Sequence, residues 1–248
     1  DVLALDDERM RAVRGAGMAV IFQEALNALN PVLTVGRQIA ETVMRRDGVD
    51  ARAARREAVR LLDEVRIPTA ERRLDDYPHQ LSGGMRQRVM IAIALACRPA
   101  LVIADEPTTS LDVTIQSQIL ALLRDVRRAN GMSMIFISHN LGAVAAVADR
   151  VAVVYAGQIV ELAGVDEIFR APRHPYTHAL LATTPRVDRA LPLSAIPGGV
   201  PRFDALPPGC RFAPRCPRAA AGCVAAVPAI VAPPGEPERR VRCIAPLG

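Results

Sequence analysis

Four polar residues directly follow apolar runs of strand length, and their side chains could together cleave a phosphate ester. They are Gln23, the pair Asp105–Glu106 and His139. In open parallel sheets, ligands bind just beyond the carboxyl ends of the strands. Asp105 could hold Mg²⁺ through its oxygens, Glu106 could polarise an attacking water, and His139 could hydrogen-bond a terminal phosphate. The alternatives are an exposed acidic strand end and a surface histidine.

The segment LSGGMRQ (81–87) predicts a second phosphate-binding element. Ser82 is a favourable N-cap for a helix that runs to about Cys97, and Gly83 and Gly84 would expose backbone N–H groups at its positive end. Helix N-termini of this kind bind anions. The alternative is an ordinary helix cap with a Gly-Gly hinge, and the run LVIADEP further along the chain favours the functional interpretation.

Four of the five cysteines lie in the last forty residues, in a proline-rich segment that offers little apolar core. Cys210, Cys216, Cys223 and Cys243 are separated by five, six and nineteen residues. Clustered thiolates predict a metal centre, although the two-to-four-residue spacing that zinc sites use is absent. Two disulfides are the alternative. Cys97 lies on the apolar side of a predicted helix and is interpreted as a core residue.

The alternation of strand and helix patterns predicts an α/β fold whose parallel sheet is flanked by helices. The run ALVIAD is apolar throughout, which is typical of a strand buried on both faces. Apolar residues at helical spacing, with Arg and Glu opposite, predict the helices. The predicted strands are 18–22, 100–105 and 132–138, the predicted helices include 50–65, 82–97 and 113–131, and 151–164 is predicted to form two strands that turn at Gly157.

The composition bounds the class of protein. The 248 residues are 50% hydrophobic and lack Trp, so the core must be aliphatic. The formal net charge of +5 is spread over the chain, which indicates a solvated basic surface and no nucleic-acid partner. Neither a membrane-spanning run of eighteen apolar residues nor a secretory signal is apparent, and the missing initiator Met suggests a fragment.

Five motifs now fall into a known order. They are FQ (22–23), LSGGMRQ (81–87), LVIADE (101–106), SLD (110–112) and SH (138–139). In that order the chain resembles the ATP-binding subunits of ABC transporters, in which these segments are the Q-loop, the signature, the Walker B motif, the D-loop and the switch histidine. The segments NALNP, YPHQLSGGM, CRPALVIADEPTTSLDVTIQ, VYAGQIVE and RHPYTHALL resemble the dipeptide and oligopeptide importers in particular.

The resemblance implies a P-loop NTPase-type parallel sheet with a helical subdomain at about 37–98. It implies an ABC ATPase domain over 1–164 that lacks its Walker A part, and a small cysteine-containing C-terminal extension over 165–248. The cysteine pattern of that extension matches the one known in dipeptide-type subunits, which favours a [4Fe–4S] cluster held by the four clustered cysteines. A structural role for this cluster is favoured over redox sensing.

The resemblance also implies the mechanism and the partners. Two ATP-binding subunits would enclose two ATP molecules, each contacted by the signature of the opposite subunit. Two transmembrane permease subunits and an extracytoplasmic solute-binding protein would complete the importer, with this chain peripheral at the cytoplasmic face. The implied nucleotide-binding residues are Ser82, Gly83, Gly84, Gln87 and Asp112, the implied catalytic residues are Glu106, His139 and Gln23, and Asp105 is the implied Mg²⁺ ligand.

Three other interpretations stay open from the sequence. A DNA-repair or chromosome-organising ATPase shares the signature and Walker B motifs, but it would carry a long coiled-coil insertion. A non-catalytic remnant or regulatory subunit would account for the missing phosphate loop. An importer of nickel or another small solute would use a similar subunit, since other subunits select the cargo.

We expect the 248-residue chain alone to hydrolyse ATP poorly or not at all. All 31 basic residues are arginine, so the lysine that ends a phosphate loop is absent, and in the resembled family that loop lies upstream of Gln23. The measurement is phosphate release from Mg-ATP by the purified chain. Strong, magnesium-dependent turnover would contradict this expectation.

Overall fold

A computed structural model describes residues 1–15, 17–109, 111–183 and 195–248. The strands are β1 (Met18–Ile21), β2 (Leu101–Asp105), β3 (Ser133–Ile137), β4 (Arg150–Tyr155), β5 (Gln158–Gly164) and β6 (Arg240–Val241). The helices are α1 (Asp7–Val13), α2 (Ala25–Ala28), α3 (Val35–Asp47), α4 (Ala51–Glu64), α5 (Ala70–Arg73), α6 (Gly83–Ala96), α7 (Val113–Asn130), α8 (Leu141–Val147), α9 (Val165–Arg170), α10 (Pro175–Ala182) and α11 (Ala221–Ala225). Within the described residues, none of these helices has the length and apolarity to span a membrane.

The chain divides into two compact units, Asp1–Val147 and Ala148–Gly248. In the first unit β1, β2 and β3 form a parallel sheet in that order. The α/β class with a parallel sheet, predicted from the alternating strand and helix patterns, is confirmed. The pairing in register places the ends of β2 and β3 side by side, with Asp105 opposite Ile137.

One face of this sheet is buried and the other is not. Ala19, Val102 and Ala104 point into a core shared with α3, α4, α6 and α7. Ile135 and Ile137, on the opposite face, are 49% and 46% exposed. The prediction that the strands are buried on both faces was therefore wrong for the described residues, because the helices that share the core lie against one face of the sheet.

The predicted helices at 50–65 and 113–131 form as α4 and α7, each begun by a side-chain cap. Asp50 accepts a hydrogen bond from the N–H of Ala53 at 2.7 Å, and Asp112 accepts one from Ile115 at 2.9 Å. The α7 helix ends at Gly131, which has a φ of 62°. One of the unpaired N–H groups at the start of each helix is thus satisfied by the side chain of its N-cap.

The helical part of the first unit depends on a close approach at Gly36 in α3. The Gly36 N–H donates to the carbonyl of Leu74 at 2.8 Å, and Val35 donates to Asp76 at 2.9 Å. A Cβ at position 36 would lie 2.8 Å from both the Leu74 carbonyl oxygen and the Leu74 Cβ. Only glycine allows the two segments to meet at this distance.

In the second unit β4, β5 and β6 form an antiparallel sheet. The predicted pair of strands at 151–164 with a turn at Gly157 is confirmed, and Gly157 has a φ of 79°. This hairpin belongs to the same compact unit as the cysteine-containing segment. The boundary between the two compact units, at 147/148, thus lies earlier in the chain than the predicted domain boundary at 164/165.

Replacing Gly36 with Ala should lower the free energy of unfolding by about 1–3 kcal/mol, because the added methyl overlaps backbone that cannot move independently. Denaturant unfolding monitored by circular dichroism measures the change. The matched control is Gly199→Ala, whose added Cβ would meet nothing within 4 Å and which should stay within about 0.5 kcal/mol of wild type. Equal stability of the two variants would contradict the steric explanation.

Candidate functional site

Three of the predicted site residues meet beyond the ends of β1, β2 and β3. The Nδ1 atom of His139 lies 2.8 Å from Oε1 of Glu106, and the Nε2 atom of Gln23 lies 3.4 Å from Oε2 of Glu106. His139 is 33 positions and Gln23 is 83 positions away from Glu106 in sequence. The parallel register of the sheet therefore produces the convergence that the sequence predicted.

The backbone of Glu106 adopts a conformation that is uncommon for a residue with a side chain. Its φ is 44°, in the left-handed region. Its N–H donates to the carbonyl of Ile137 at 2.9 Å, which extends the pairing of β2 and β3 by one residue. Its carbonyl accepts from the N–H of Thr109 at 3.2 Å and so starts a tight turn. Strain of this kind clusters at functional sites.

Hydrogen bonding keeps the Glu106 carboxyl ionised. The pKa of this carboxyl is lowered, first by the hydrogen bond with His139 and second by the hydroxyl of Thr109, which donates to Oε2 at 2.7 Å. Because an ionised carboxylate only accepts hydrogen bonds, Nδ1 of His139 carries the shared hydrogen. The other ring nitrogen, Nε2, is then the one that can meet a ligand, and the His139 side chain is 71% exposed.

Asp105 is the last residue of β2 and is exposed. It precedes Glu106 directly, so the two carboxylates stand at the same edge of the sheet. Exposed carboxylate oxygens of this kind are the ligands that Mg²⁺ takes from proteins, alongside phosphate oxygens and water. The donor set at this edge therefore fits a magnesium ion bound to a phosphate ester.

The predicted phosphate-binding element forms a separate group at the start of α6. Ser82 caps this helix through a 3.4 Å hydrogen bond from the N–H of Met85 to its Oγ. A Cβ at Gly84 would lie 2.7 Å from Cγ2 of Ile115, and one at Gly83 would lie 3.7 Å from Cδ2 of Leu111. Gly84 thus lets the N-terminus of α6 pack against the start of α7, whereas a Cβ at position 83 would make only an ordinary contact.

Two further predicted nucleotide-binding residues have structural surroundings that the sequence did not indicate. Gln87 is 3% exposed, and its Nε2 atom has no hydrogen-bond partner within the described residues. Asp112 is exposed, and its side chain caps the N-terminus of α7. Ser110, the first residue of the predicted D-loop, lies outside the described residues.

The four clustered cysteines line one pocket in the second unit, together with His174, Pro175, Phe212, Ala213, Arg218 and Ala245. All five cysteines of the chain are free thiols. Among the described residues, no group of three or more His, Cys, Asp or Glu side chains is arranged to hold a metal ion. The thiols therefore surround the pocket and do not converge on a single ion-sized position.

Backbone donors face two of these sulfurs. Burial raises the pKa of the Cys216 and Cys243 thiols, while hydrogen bonds from the backbone at Arg218 and Ala245 act in the opposite direction. Such N–H···S contacts stabilise thiolates, and ligand binding would release the protons. Cys97, predicted as a core residue, is half-buried at the C-terminus of α6, and burial also raises its pKa.

His174 is buried and lines the cysteine pocket, where its ring connects the start of α10 to the residue next to Cys243. Burial lowers the pKa of His174 to about 4, so the ring is neutral. Its Nδ1 atom accepts from the N–H of Tyr176 at 3.0 Å, which leaves the hydrogen on Nε2 to face the carbonyl of Arg242. The residue next to Cys243 is thereby tied to the start of α10.

A buried ion pair supports the same region and was not predicted from the sequence. Glu161 is fully buried and accepts from Nη1 of Arg239 at 3.1 Å and from the N–H of His174 at 2.9 Å. Arg239 is 2% exposed and also pairs with Glu236 at 2.7 Å. Two backbone segments also approach closely at Gly209. A Cβ at this position would lie 2.3 Å from the Cys223 carbonyl oxygen.

Two family models match the chain. The model described as "ABC transporter" matches residues 3–109, and the model described as "Oligopeptide/dipeptide transporter, C-terminal region" matches residues 160–223. The first range contains Gln23 and Glu106, and the second contains Cys210, Cys216 and Cys223.

Relatives with similar sequences carry names of the same kind. A peptide import ATP-binding protein of Brucella abortus is 54% identical over 225 residues, which cover 90% of this chain and 68% of the relative. A peptide import ATP-binding protein of Brucella melitensis is 53% identical over 235 residues, which cover 92% of this chain and 70% of the relative.

Solved structures of ATP-binding cassettes share the fold. A cassette dimer in a post-hydrolysis state with ADP and Pi matches with a TM-score of 0.58 and 27% identity, over 65% of this chain and 68% of that chain. A component of the cbiONQ transporter complex of Clostridium perfringens matches with a TM-score of 0.60 and 25% identity, over 67% of this chain and 64% of that chain. With the cassette fold, both family models and these relatives in agreement, the chain belongs to the ATP-binding subunits of ABC transporters, in the oligopeptide/dipeptide branch.

Proposed function

We propose that the chain is the ATP-hydrolysing subunit that energises import of dipeptides or oligopeptides. The observation that carries this proposal is the convergence of Gln23 and His139 on Glu106 at one edge of the parallel sheet. The relatives are named for peptide import, and the C-terminal family model belongs to peptide transporters. An ABC importer couples such subunits to transmembrane permeases, so this chain acts as a membrane-associated component.

In the proposed mechanism, positioning and charge stabilisation drive transfer of the terminal phosphate to water. Glu106 accepts a proton from the attacking water. His139 contacts the terminal phosphate through Nε2 in the form in which both ring nitrogens carry hydrogen, because only then does Nε2 donate. Gln23 donates a hydrogen bond to the same carboxylate and links the site to the region that contacts the permease. Asp105 would hold Mg²⁺, which neutralises charge on the phosphates.

The N-terminus of α6 contacts the phosphates of the nucleotide that is bound to a second ATP-binding subunit. Ser82, Gly83 and Gly84 stand at the positive end of a 14-residue helix, where backbone N–H groups favour phosphate. In this proposal Gln87 and Asp112 support that contact. The assembly then contains two ATP-binding subunits and two permease subunits at the cytoplasmic face of the membrane, and it receives peptide from an extracytoplasmic binding protein.

Glu106→Gln tests this function in the assembled transporter. ATP hydrolysis should fall about 100-fold or more, because the amide cannot take the proton, while Mg-ATP binding should stay within about threefold. Phosphate release and peptide uptake into vesicles are measured together. The exposed surface variant Glu71→Gln is the control and should keep both activities. Undiminished hydrolysis by Glu106→Gln would rule out this role for the carboxylate.

The cysteine pocket is proposed to hold a [4Fe–4S] cluster with a structural role. Four thiols from separate segments of the chain line the pocket, and backbone donors face the sulfurs of Cys216 and Cys243. Hydrogen bonds to sulfur are among the contacts that tune such clusters. A zinc ion, with Zn–S bonds of about 2.3 Å, would need thiols grouped around one point.

Iron and acid-labile sulfide in the anaerobically purified chain test the cluster. We expect the four of each that define the cluster, with loss in Cys243→Ser and retention in Cys97→Ser. Gly209→Ala should also lose most of the iron, because its methyl would overlap the Cys223 carbonyl, whereas Gly199→Ala should keep it. Stoichiometric zinc, or two disulfides by mass spectrometry, would contradict the proposal.

A further inference from the structure

We propose that Thr109 is a positioning residue for ATP hydrolysis, whose hydroxyl holds Oε2 of Glu106 and so assigns Oε1 as the atom that accepts the proton from water. This inference rests on the proposed function. It concerns a residue that the sequence motifs did not single out. It is carried by a contact between two side chains three positions apart, at 2.7 Å.

The turn after β2 builds the contact. The Thr109 N–H donates to the Glu106 carbonyl at 3.2 Å, which closes the turn over residues 106–109. The left-handed φ of Glu106, 44°, reverses the chain at this point. Thr108 is 5% exposed and anchors the turn in the protein, while Thr109 is half-buried. The hydroxyl is therefore delivered to the carboxylate by rigid backbone.

The two carboxylate oxygens then differ in their remaining capacity to accept hydrogen bonds. Each oxygen has two acceptor positions. Thr109 and Gln23 both donate to Oε2, at 2.7 and 3.4 Å, which fills that oxygen. His139 contacts Oε1 at 2.8 Å and leaves one position open. A water that meets Oε1 thus lies beside the histidine that contacts the terminal phosphate.

The hydroxyl has two opposite effects on the base. Donation to the carboxylate favours its ionised form, which makes Glu106 a slightly weaker proton acceptor. It also removes the rotation that would carry Oε1 away from the phosphate, and catalysis is sensitive to such misplacement. Among the described titratable side chains, His139 is in hydrogen-bond contact with Glu106, and the exposed Asp105 carboxylate precedes Glu106 at the same edge of the sheet. We infer that the gain in alignment exceeds the loss in basicity.

The first test compares Thr109→Val, Thr109→Ser and wild type in the assembled transporter. In Thr109→Val, kcat for ATP should fall about tenfold while KM stays within about twofold, because an aligned hydrogen bond to a charged group is lost. Thr109→Ser keeps the hydroxyl and should restore kcat. Thr42→Val is the control, since the Thr42 hydroxyl binds only the Gln38 carbonyl in α3.

The second test does not depend on ATP hydrolysis. The ¹³C chemical shift of the Glu106 carboxyl in the 248-residue chain at neutral pH, assigned with Glu106→Gln, should change in Thr109→Val and return to the wild-type value in Thr109→Ser, because the shift reports the hydrogen bond from the hydroxyl. Circular dichroism verifies that each variant is folded. An unchanged chemical shift in Thr109→Val, or a kcat loss that Thr109→Ser does not restore, would overturn the proposal.

The two proposals fail in different ways. If Glu106→Gln abolishes hydrolysis while Thr109→Val behaves as wild type in both tests, the positioning role is wrong and the ATPase function stands. If the assembled complex shows no peptide-dependent hydrolysis but the ¹³C shift of the Glu106 carboxyl still depends on the Thr109 hydroxyl, the peptide-import function is wrong and the local contact stands.

Discussion

Parallel pairing of β1, β2 and β3 is the constraint on which the proposed nucleotide site depends. Each strand supplies one residue of that proposed site just beyond its end, so a slip of one residue in any pair would separate Glu106 from Gln23 or His139. The hydrogen bond from Glu106 to Ile137 continues the ladder past the last strand residue. That bond helps to hold Glu106 in its left-handed conformation, which costs roughly 1–3 kcal/mol.

Much of this arrangement follows from local sequence. Apolar runs place the strands, and their polar ends predict that Gln23, Glu106 and His139 meet. Thr109 was missed because its role requires the turn geometry and a side-chain rotamer, neither of which is encoded in periodicity. The exposed face of β3 was missed because Ile135 and Ile137 are as apolar as a buried strand would be.

Glu161 escaped prediction for a different reason. The pairing of β4 and β5 shifts register between Val153 and Val154, so Val160 and Glu161 are buried in succession. Strict alternation would have placed Glu161 on the outside. Its pairing with Arg239 joins β5 to the segment that leads to Cys243. A buried ion pair adds little net stability, and its contribution here is to specify where that segment lies.

The exposed face of the three-stranded sheet affects how readily separate chains associate in solution. Val20, Ile135 and Ile137 present a row of branched aliphatic groups to water. Contact between such rows on different molecules removes apolar area from solvent, and this attraction weakens on cooling. We therefore expect cold, dilute solutions of the purified chain to favour dispersed molecules.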